Sequence, residues 1–390
     1  MKILIITAKY YPDTFPINLI AEELARKGNE VDVLTSVPFK DGQYLEKFDK
    51  EKSFENGVNI FRVKTKIRTQ SKLSLVKYYL SLHKEFKRWV KKCDKKYDVV
   101  FSYSISPVIT LAAGNLYKKL HQTRHVAHVL DIWPESVVDA GYTSRHSILY
   151  RILLRWSKKE YNGVDTLLIG SESFKDYLMK KMNIDEGRIE YLVQPGLINT
   201  DDNGVVPFDT NKTNLVYCGN ISRLQLVDLI IPTMEKLRND NVIFNILGTG
   251  SYLEEFKDEL RRSNLSNVVY HGYFDYQESS QYLRYADCIL VSLKNVGFVG
   301  KTIPNKLISS LYYAKPIIGI ISGEGKAILV ENNNIISEES VDGFVSSINK
   351  FLALSSKERL EIGKKNRQQY DDNFSIDIYL KKLLGSFSSK

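Results

Sequence analysis

The sequence has little cysteine, and its three cysteines lie far apart. Cys93, Cys218 and Cys288 share no short spacing, which excludes a disulfide framework and the usual zinc-binding patterns. Isolated cysteines of this kind are typical of a reducing compartment. The motifs H-E-x-x-H, G-x-S-x-G and Walker A are also missing from the sequence. Their absence argues against a zinc protease, an α/β-hydrolase and a P-loop nucleotide hydrolase.

Long apolar runs are missing too. No stretch reaches the roughly 20 apolar residues of a transmembrane helix, and Met1–Ala8 is too short an apolar start for a signal peptide. We therefore expect a cytoplasmic protein, with room for a peripheral contact at the inner face of the cell membrane. The aromatic residues are not interleaved with basic ones, so we expect no nucleic acid among the partners.

The composition is that of a globular protein with more than one core. The chain has 390 residues, of which 43% are hydrophobic and 26% are charged, and this length suggests two or three domains. The formal net charge is +9. An excess of positive charge favours acidic partners such as nucleotide phosphates or anionic lipids.

The chain opens with the alternation of a doubly wound α/β sheet. Lys2–Thr7 is an apolar, β-branched run that predicts a buried strand, Ile17–Lys27 has helical spacing, and Glu30–Thr35 predicts the next strand. Ligands of such sheets bind where strand ends meet helix starts. The first of these loops has no G-x-G-x-x-G fingerprint, so we expect no dinucleotide site in this half of the chain.

A later strand end collects titratable residues. The predicted strand His125–Leu130 runs into the sequence HVLDIWPES, which supplies His128, Asp131 and Glu135. These three are the candidate catalytic residues, because strand ends in such a sheet face a ligand crevice. The alternative is an ordinary turn, in which Asp131 accepts backbone hydrogen bonds and Pro134 begins a helix.

The segment Ser71–Tyr97 is unusually basic. Apolar and aromatic residues recur along it at helical spacing, namely Leu75, Tyr79, Leu82, Phe86, Trp89 and Cys93. Basic residues lie roughly opposite, namely Lys77, Lys84, Arg88, Lys91 and Lys95. One interpretation is a surface helix whose apolar stripe packs on the sheet and whose basic face is solvated. The other is a contact with an anionic membrane surface, with Trp89 entering the bilayer.

The periodicity breaks in the middle of the chain and then restarts. Gln194–Thr210 contains two prolines and two glycines and reads as a linker. After it, glycine-bearing turns follow predicted strands at Gly219-Asn220, Gly248–Ser251 and Gly272–Phe274. Glycine lets the backbone approach a ligand closely. Together these turns predict phosphate binding on the C-terminal half.

The stretch from Val291 to Lys326 adds a cation to that half. A polar loop follows an apolar strand, and Pro304 then suits the first turn of a helix. Asn305 and Lys306 come directly after it. Because the N-terminus of a helix favours phosphate, Lys306 is a candidate phosphate ligand. The alternative is an ordinary strand–helix–strand unit with a solvated lysine.

Six segments, in chain order, resemble glycosyltransferase family 4: EELARKGNEVDVLT, HVLDIWPES, YCGNISRLQ, ILGTGS, HGYF and PNKLISSLYYAKPIIG. Within the family, the chain is most similar to bacterial capsule and lipopolysaccharide acetamido-sugar transferases, which have D-x-W-P-E-S and P-[SN]-K motifs. The resemblance implies the GT-B fold, an α/β architecture of two facing Rossmann-like, doubly wound parallel-sheet domains. The implied division is an N-terminal acceptor-side domain over residues 1–196, a linker over 197–211, a nucleotide-sugar-binding domain over 212–370, and a C-terminal helix over 371–390 that packs back on the first domain.

The resemblance also implies an activity. It implies retaining, metal-independent transfer of a sugar, an N-acetylated hexosamine, from a UDP-sugar to a glycan or lipid-linked acceptor in bacterial surface polysaccharide or glycoconjugate synthesis. The UDP-sugar is the co-substrate, and no cofactor or metal is implied. The acceptor side would include Tyr11, Asp13 and Thr14. The implied donor-binding residues are Gly219, Asn220, Arg223, Gln225, Gly248, Gly250, Ser251, Tyr273, Phe274, Asn305, Lys306, Ser309 and Glu324.

The sequence departs from the family pattern at a usual pair of glutamates. Aligned on Lys315-Pro316, their places are taken by Lys301 and Ser309. Glu324 is then the candidate for holding the donor ribose, and Gln225 stands near a position where many relatives have lysine. Two alternatives stay open. One is a catalytically silent glycosyltransferase-like partner subunit, which the missing glutamates favour, and the other is a UDP-sugar 2-epimerase, in which Glu135 and His128 would transfer protons.

Overall fold

The computed structural model describes residues 1–40, 43–48, 50–69, 71–237, 239 and 241–388. These residues form two compact units. The first contains Met1–Gln194 and the chain from Tyr379 onward, and the second contains Pro195–Ile378. Each unit is built on a mainly parallel sheet with helices connecting its strands, which is the α/β class that the sequence predicts.

The first unit alternates strands and helices from its first residues. Its strands are β1 (Lys2–Thr7), β2 (Glu30–Ser36), β3 (Phe39–Lys40), β4 (Gln43–Tyr44), β5 (Lys52–Glu55), β6 (Val58–Val63), β7 (Val99–Ser104), β8 (Arg124–Val129), β9 (Thr166–Ile169) and β10 (Ile189–Tyr191). Its helices are α1 (Pro16–Arg26), α2 (Lys72–Lys92), α3 (Ile109–His121), α4 (Glu135–Asp139), α5 (Ile148–Gly163) and α6 (Ser173–Met182). The main sheet has the order β10-β9-β8-β7-β1-β2-β6-β5, with only the β5–β6 pair antiparallel among its described neighbours.

The central strand β1 shows why the sequence folds in this way. Ile3, Leu4, Ile5 and Ile6 are all fully buried, because helices cover both faces of the sheet. Both predicted ends of this strand are confirmed. Because β1, β7 and β8 are parallel, their last residues, Thr7, Ser104 and Val129, lie side by side at the carboxyl ends of the strands. The loops that follow them therefore start at the same end of the sheet.

Helix α2 packs its predicted apolar stripe on the sheet. Leu82 and Phe86 are fully buried, and the Trp89 ring lies 5.2 Å from the Phe61 ring. Trp89 is half-buried and packs against the core of the unit, which does not support the interpretation that it enters a bilayer. The predicted basic face is exposed at Lys77, Lys84, Arg88 and Lys91. Lys95 lies beyond the helix end and forms ion pairs with Asp32 and Glu30.

The second unit holds the other sheet. Its strands are β11 (Thr213–Cys218), β12 (Val242–Leu247), β13 (Val268–Gly272), β14 (Cys288–Ser292), β15 (Ile317–Ile320) and β16 (Ile335–Ile336). Its helices are α7 (Ile230–Leu237), α8 (Leu253–Ser263), α9 (Tyr276–Tyr285), α10 (Asn305–Tyr312), α11 (Gly323–Glu331), α12 (Val341–Ala353) and α13 (Ser356–Asn373). The order is β13-β12-β11-β14-β15-β16, and every described pair is parallel.

Two connecting segments differ in detail from expectation. Residues 197–211, all of them described, form no helix or strand, but they pack along α9: Gln281 donates to the Asp201 carbonyl oxygen at 2.9 Å, and the Tyr285 hydroxyl donates to Asp202 at 2.8 Å. The last helix, α14 (Ile376–Ser388), begins later than residue 371, because α13 continues to Asn373. Within the first unit, Phe387 packs against Phe101, with ring centres 5.6 Å apart.

Candidate functional site

Two glycine turns interlock at the carboxyl ends of β11 and β12. The Gly219 N–H donates to the Leu247 carbonyl oxygen at 3.0 Å, and the Ile221 N–H donates to the Thr249 carbonyl oxygen at 2.9 Å. A β-carbon on residue 250 would stand 2.2 Å from the Ile221 carbonyl oxygen, so only glycine fits there. The first two predicted glycine turns therefore form one continuous backbone surface at the end of the sheet.

Lys306 lies beside this surface, in the first turn of α10. Its Nζ is 3.3 Å from the Tyr217 hydroxyl oxygen and 4.7 Å from the centre of the Tyr217 ring. The same hydroxyl donates to the Asn220 carbonyl oxygen at 2.6 Å, which links the lysine to the first glycine turn. Burial lowers the pKa of Lys306 to about 7, because loss of water favours the neutral amine.

A cavity of about 230 Å³ in the second unit contains Lys306 in its wall. The predicted residues Asn305 and Ser309 line it as well. Asn305 donates its side-chain amide to the Pro195 carbonyl oxygen at 3.0 Å. A β-carbon on Gly196 would stand 2.9 Å from the Ser309 nitrogen, so the chain after β10 passes directly over α10. The other lining residues are Leu197, Cys218, Tyr276, Ser279, Leu283, Ile289, Leu290, Ser310 and Tyr313.

Sequence reasoning missed Tyr217. This residue is fully buried, and its hydroxyl fixes both the lysine and the turn. A signal was available, because Tyr217 stands two residues before Gly219 on a predicted strand and therefore on the same face of it. The contact between Tyr217 and Lys306 could not be predicted from the sequence, because the two residues lie far apart in the chain and only the folding of the second unit brings them together.

Arg223 reaches the same turns from the surface. It lies in a short 3₁₀ helix, Arg223–Gln225, with one guanidinium nitrogen 2.8 Å from the Glu255 carboxylate and the guanidinium carbon 4.8 Å from the centre of the Tyr252 ring. Hydrogen bonding to Glu255 raises the pKa of Arg223. The backbone carbonyl oxygen of Gln225 accepts a hydrogen bond from the Ser292 hydroxyl at 2.6 Å. Ser251 is exposed at the turn before α8.

Three other predicted donor residues lie outside the turns after β11 and β12. Tyr273 is 70% exposed after β13, and the Phe274 ring packs 5.5 Å from the Tyr282 ring. Glu324 lies in the first turn of α11, where a β-carbon on Gly323 would stand 3.0 Å from the Lys301 carbonyl oxygen. Binding of base or ribose by these residues stays a prediction.

In the first unit, His128 and Glu135 are enclosed. His128 has no exposed surface, and its Nδ1 lies 2.9 Å from the Tyr379 hydroxyl oxygen of α14. Burial lowers the pKa of His128 to about 4. Glu135 is held by Arg145 at 2.8 Å, Tyr150 at 2.5 Å and Tyr177 at 2.9 Å. Burial disfavours the ionised form of Glu135, but these hydrogen bonds outweigh it and lower its pKa. These positions do not support direct contact of either side chain with a substrate, which was the sequence prediction.

Asp131 is different, because its side chain is only partly enclosed. It follows β8, and its carboxylate accepts hydrogen bonds from the backbone N–H and hydroxyl of Ser106. Burial nevertheless raises the pKa of Asp131 above its ordinary value. Of the three predicted catalytic residues, Asp131 is the one whose position suits work on a substrate.

Ser106 also lines a cavity of about 800 Å³ in the first unit. Aromatic side chains and two cations form much of its wall, and its lining residues are Ala8, Lys9, Phe15, Phe39, Arg68, Thr69, Tyr78, Tyr79, Ile105 and Ser106. Asp131 is therefore connected to this cavity through its hydrogen bonds with Ser106.

The predicted acceptor-side residues lie around the loop after β1. Asp13 lines a small neighbouring cavity of about 70 Å³, together with Lys9 and Tyr10. Tyr11 packs edge-on against Phe48 at 5.6 Å, and Thr14 is exposed. The part of the chain that the structure describes contains no group of three or more His, Cys, Asp or Glu side chains arranged to hold a metal. Across the same residues, no helix has both the length and the apolar character needed to cross a membrane.

Comparison with solved structures places this fold among known ones. Sucrose-phosphate synthase from Thermosynechococcus elongatus aligns over 99% of this chain and 98% of that chain, with a TM-score of 0.75 and 13% identity. HepE from Anabaena, solved in complex with UDP-glucose, aligns over 100% of both chains with a TM-score of 0.69 and 13% identity. At such identities the likeness shows the fold, which is the GT-B fold of two parallel-sheet α/β domains.

Sequence relatives point the same way. The probable glycosyltransferase WbjE of Pseudomonas aeruginosa is 26% identical over 57% of this chain, and the match spans 57% of that protein. The putative colanic acid biosynthesis glycosyl transferase WcaI of Escherichia coli K12 is 24% identical over 80% of this chain and 81% of its own. The family model Glycosyltransferase Family 4 matches residues 17–194, and the model Glycosyl transferases group 1 matches residues 199–369. The chain therefore belongs to the glycosyltransferases, with a family 4 domain followed by a group 1 domain.

Proposed function

We propose that this chain transfers a sugar, an N-acetylated hexosamine, from a UDP-linked donor to a glycan or lipid-linked acceptor of a bacterial surface polysaccharide. The donor diphosphate binds to the second unit, and the acceptor binds in the large cavity of the first. The observation that carries the proposal is the placement of Lys306, which combines a cation, a helix start and a glycine-turn backbone. Phosphate oxygens need this combination of positive charge and N–H donors.

The chemistry follows from where charge grows. The bond between C1 of the sugar and the diphosphate oxygen breaks, and its electron pair leaves with UDP. Lys306 and the first N–H groups of α10 stabilise the negative charge that develops on that oxygen. The acceptor hydroxyl oxygen bonds to C1 on the same face of the sugar, which gives retention, and its proton passes to the departing phosphate oxygen. No side-chain nucleophile is required, and Asp131 orients the acceptor hydroxyl.

Relatives lend support to the choice of donor and pathway. HepE has been solved with UDP and with UDP-glucose, and WcaI is named for colanic acid biosynthesis. A UDP-sugar donor and a polysaccharide product are consistent with these descriptions.

A second function is favoured by one specific feature. The resemblance to family 4 implies a pair of glutamates at the positions that Lys301 and Ser309 occupy, and the Ser309 backbone lies against the chain at Gly196. A catalytically silent partner subunit would keep the nucleotide turns and lose turnover.

A panel of UDP-sugars distinguishes these functions. The full chain is incubated with UDP-N-acetylglucosamine, UDP-N-acetylgalactosamine and UDP-glucose, while UDP release is measured together with a thermal shift. With water as the acceptor, we expect hydrolysis of the α-linked donor to UDP and the α-anomer of the free sugar, and loss of this hydrolysis in Lys306→Ala. A thermal shift without turnover indicates the silent subunit. Conversion of the UDP-sugar to its 2-epimer indicates the epimerase and contradicts the proposal.

A further inference from the structure

Apolar side chains are exposed together on two helices of the first unit. On α2 they are Leu73, Val76 and Leu80, which are 63%, 54% and 66% exposed, and on α5 they are Ile148, Leu149 and Ile152, which are 76%, 51% and 57% exposed. Single exposed apolar residues are normal on protein surfaces. A group that repeats at helical spacing on neighbouring helices is different, because large apolar patches mark binding surfaces. We call these six residues the α2/α5 surface.

The two helices meet one turn beyond these residues. The His83 ring of α2 packs edge-on against the Trp156 ring of α5, with ring centres 5.5 Å apart. Helix α2 is followed by β7 and helix α5 by β9, and both strands are parallel to β8 in the same sheet. Because each helix precedes a strand of the same direction, we infer that the two helices also run in the same direction. Leu80 therefore precedes the contact on one helix just as Ile152 does on the other. The six residues form one surface rather than two separate patches.

Positive charge surrounds this surface. Within α2 and α5 there are eleven Lys and Arg residues and two Glu residues. Glu85 pairs with Arg88 at 2.8 Å, and the buried Glu160 accepts hydrogen bonds from Asn115 and Trp156. On α5, Arg151, Arg155 and Lys159 recur at four-residue spacing and are all exposed. Because Glu85 and Glu160 both have partners within the unit, the exposed charge of the two helices is strongly positive.

We propose that the α2/α5 surface docks on an anionic lipid bilayer, with its aliphatic side chains in the headgroup boundary and its cations on the lipid phosphates. Exposed aliphatic residues flanked by Lys and Arg are the composition of interfacial helices. A second copy of the chain fits this surface poorly, because two such positive faces repel. A nucleic acid would use the cations but leave the aliphatic residues without a role.

The position of the surface gives docking a purpose. Tyr78 and Tyr79 of α2 line the large cavity, and they directly precede Leu80 in the helix. Docking holds this cavity at the level of the lipid headgroups. The acceptor class that follows, which rests on the proposed function, is a sugar carried on an anionic lipid. Trp89 is half-buried against the core of the unit, so the six residues of the α2/α5 surface enter the lipid and Trp89 does not.

Vesicle co-sedimentation of the full chain tests the proposal. The vesicles are phosphatidylcholine alone, or phosphatidylcholine with about a third phosphatidylglycerol, across a salt series. The apolar variant combines Val76→Ser, Leu80→Ser, Ile148→Ser and Ile152→Ser. Its matched control combines Val330→Ser and Leu360→Ser, which are 53% and 57% exposed in the second unit. The charge variant combines Lys77→Gln, Lys84→Gln, Arg151→Gln and Arg155→Gln, with Lys357→Gln and Lys365→Gln on α13 as its control.

The expected result is salt-sensitive binding of the parent to anionic vesicles. The apolar and charge variants should each lose about tenfold or more of the partition coefficient, while both controls bind like the parent. Absence of binding to anionic vesicles, or an apolar variant that binds like the parent, overturns the proposal. So does sedimentation velocity that shows a parent dimer and a monomeric apolar variant, because the surface would then join two copies. UDP affinity should be equal in parent and variants, and failure of the parent to bind UDP would contradict the proposed function while leaving docking intact.

Discussion

The carbonyl oxygen of Gly219 lies 1.8 Å from the place where a β-carbon on residue 248 would stand. The Gly248 backbone also has φ +136°, a conformation that side-chain-bearing residues rarely adopt. The turns after β11 and β12 therefore fit together only because residue 248 has no side chain. The Tyr217 hydroxyl links this backbone surface to Lys306, because it contacts both the Asn220 carbonyl oxygen and the lysine Nζ.

Replacement of Gly248 should damage both stability and nucleotide binding. Gly248→Ala forces backbone against backbone, and we expect a loss of more than about 3 kcal/mol in the free energy of unfolding, together with loss of UDP binding. Gly272→Ala is the matched control, since Gly272 also has positive φ but no atom within 4 Å of the added carbon. It should lose about 1–2 kcal/mol. Urea unfolding measures both, and equal losses in the two variants would contradict the interlocked turns.

Lys306 should contribute more to UDP affinity than Arg223. Lys306 is held against the glycine turns, whereas Arg223 is exposed and already paired with Glu255. Lys306→Ala should weaken UDP binding by about 1–3 kcal/mol, and Arg223→Ala by less. Lys257→Ala, which removes another exposed and paired cation of the same unit, is the control. If isothermal titration finds the Lys306 variant as tight as the parent, the phosphate site lies elsewhere.

UDP affinity should fall as the pH rises above 7. The pKa of Lys306 is about 7 in the free protein, so the amine is mostly neutral at pH 8 and must take up a proton to meet the diphosphate. Each further pH unit should cost up to about tenfold in affinity until the pKa of the bound state is reached. Titrations at pH 6.5, 7.5 and 8.5 measure this slope. Lys306→Met should remove it and leave only the titration of UDP itself, and an equal slope in both proteins would assign the proton to another group.

Asp131 should matter for turnover and not for nucleotide affinity. Asp131 is half-buried, its carboxylate accepts hydrogen bonds from Ser106, and Ser106 lines the large cavity in which we propose that the acceptor binds. Asp131→Asn should lower kcat by roughly tenfold to a hundredfold while UDP binds as tightly as before. Asp176→Asn, at a side chain that is 76% exposed in the same unit, should leave both quantities unchanged. Full activity in the Asp131 variant would mean that Asp131 only accepts hydrogen bonds in a structural turn.

Acid should destabilise the first unit through His128. Burial holds the pKa of His128 at about 4, below its ordinary value of 6.5, so the unfolded chain binds a proton in this range that the folded chain does not. The resulting stability is complete above pH 6.5 and is lost as the pH falls towards 4, with a size of about 3 kcal/mol. Urea unfolding at pH 7 and pH 4.5 measures it. His128→Gln should show a shallower dependence, and the same dependence as the parent would mean that His128 is already charged in the folded state.

The sequence predicts regular elements well where one signal dominates. The apolar β-branched run Lys2–Thr7 has the predicted bounds in the structure, and the glycine turns follow their predicted strands. Helix α13 was not predicted, because this polar helix buries few side chains, among them Ile362 and Tyr370. The signal that could have found it is the capping box of Ser355 and Glu358.

The site was harder to predict than the fold, because local spacing does not show which residues a distant segment will cover. On α2 the spacing predicts the buried stripe that contains Phe86, but it does not show that Leu80, outside that stripe, stays exposed. For the same reason His128 was placed at a ligand site, although the chain returns at Tyr379 to cover it. Contacts between residues so far apart in the chain leave no local pattern.

Hydrogen–deuterium exchange of the full chain, with and without saturating UDP, is the most direct test of nucleotide binding on the second unit. It maps the nucleotide without altering any residue. UDP should slow exchange most strongly in peptides that contain residues 217–223, 248–252 and 304–310. Protection confined to residues 1–194, or no protection at a UDP concentration that saturates the thermal shift, would contradict it.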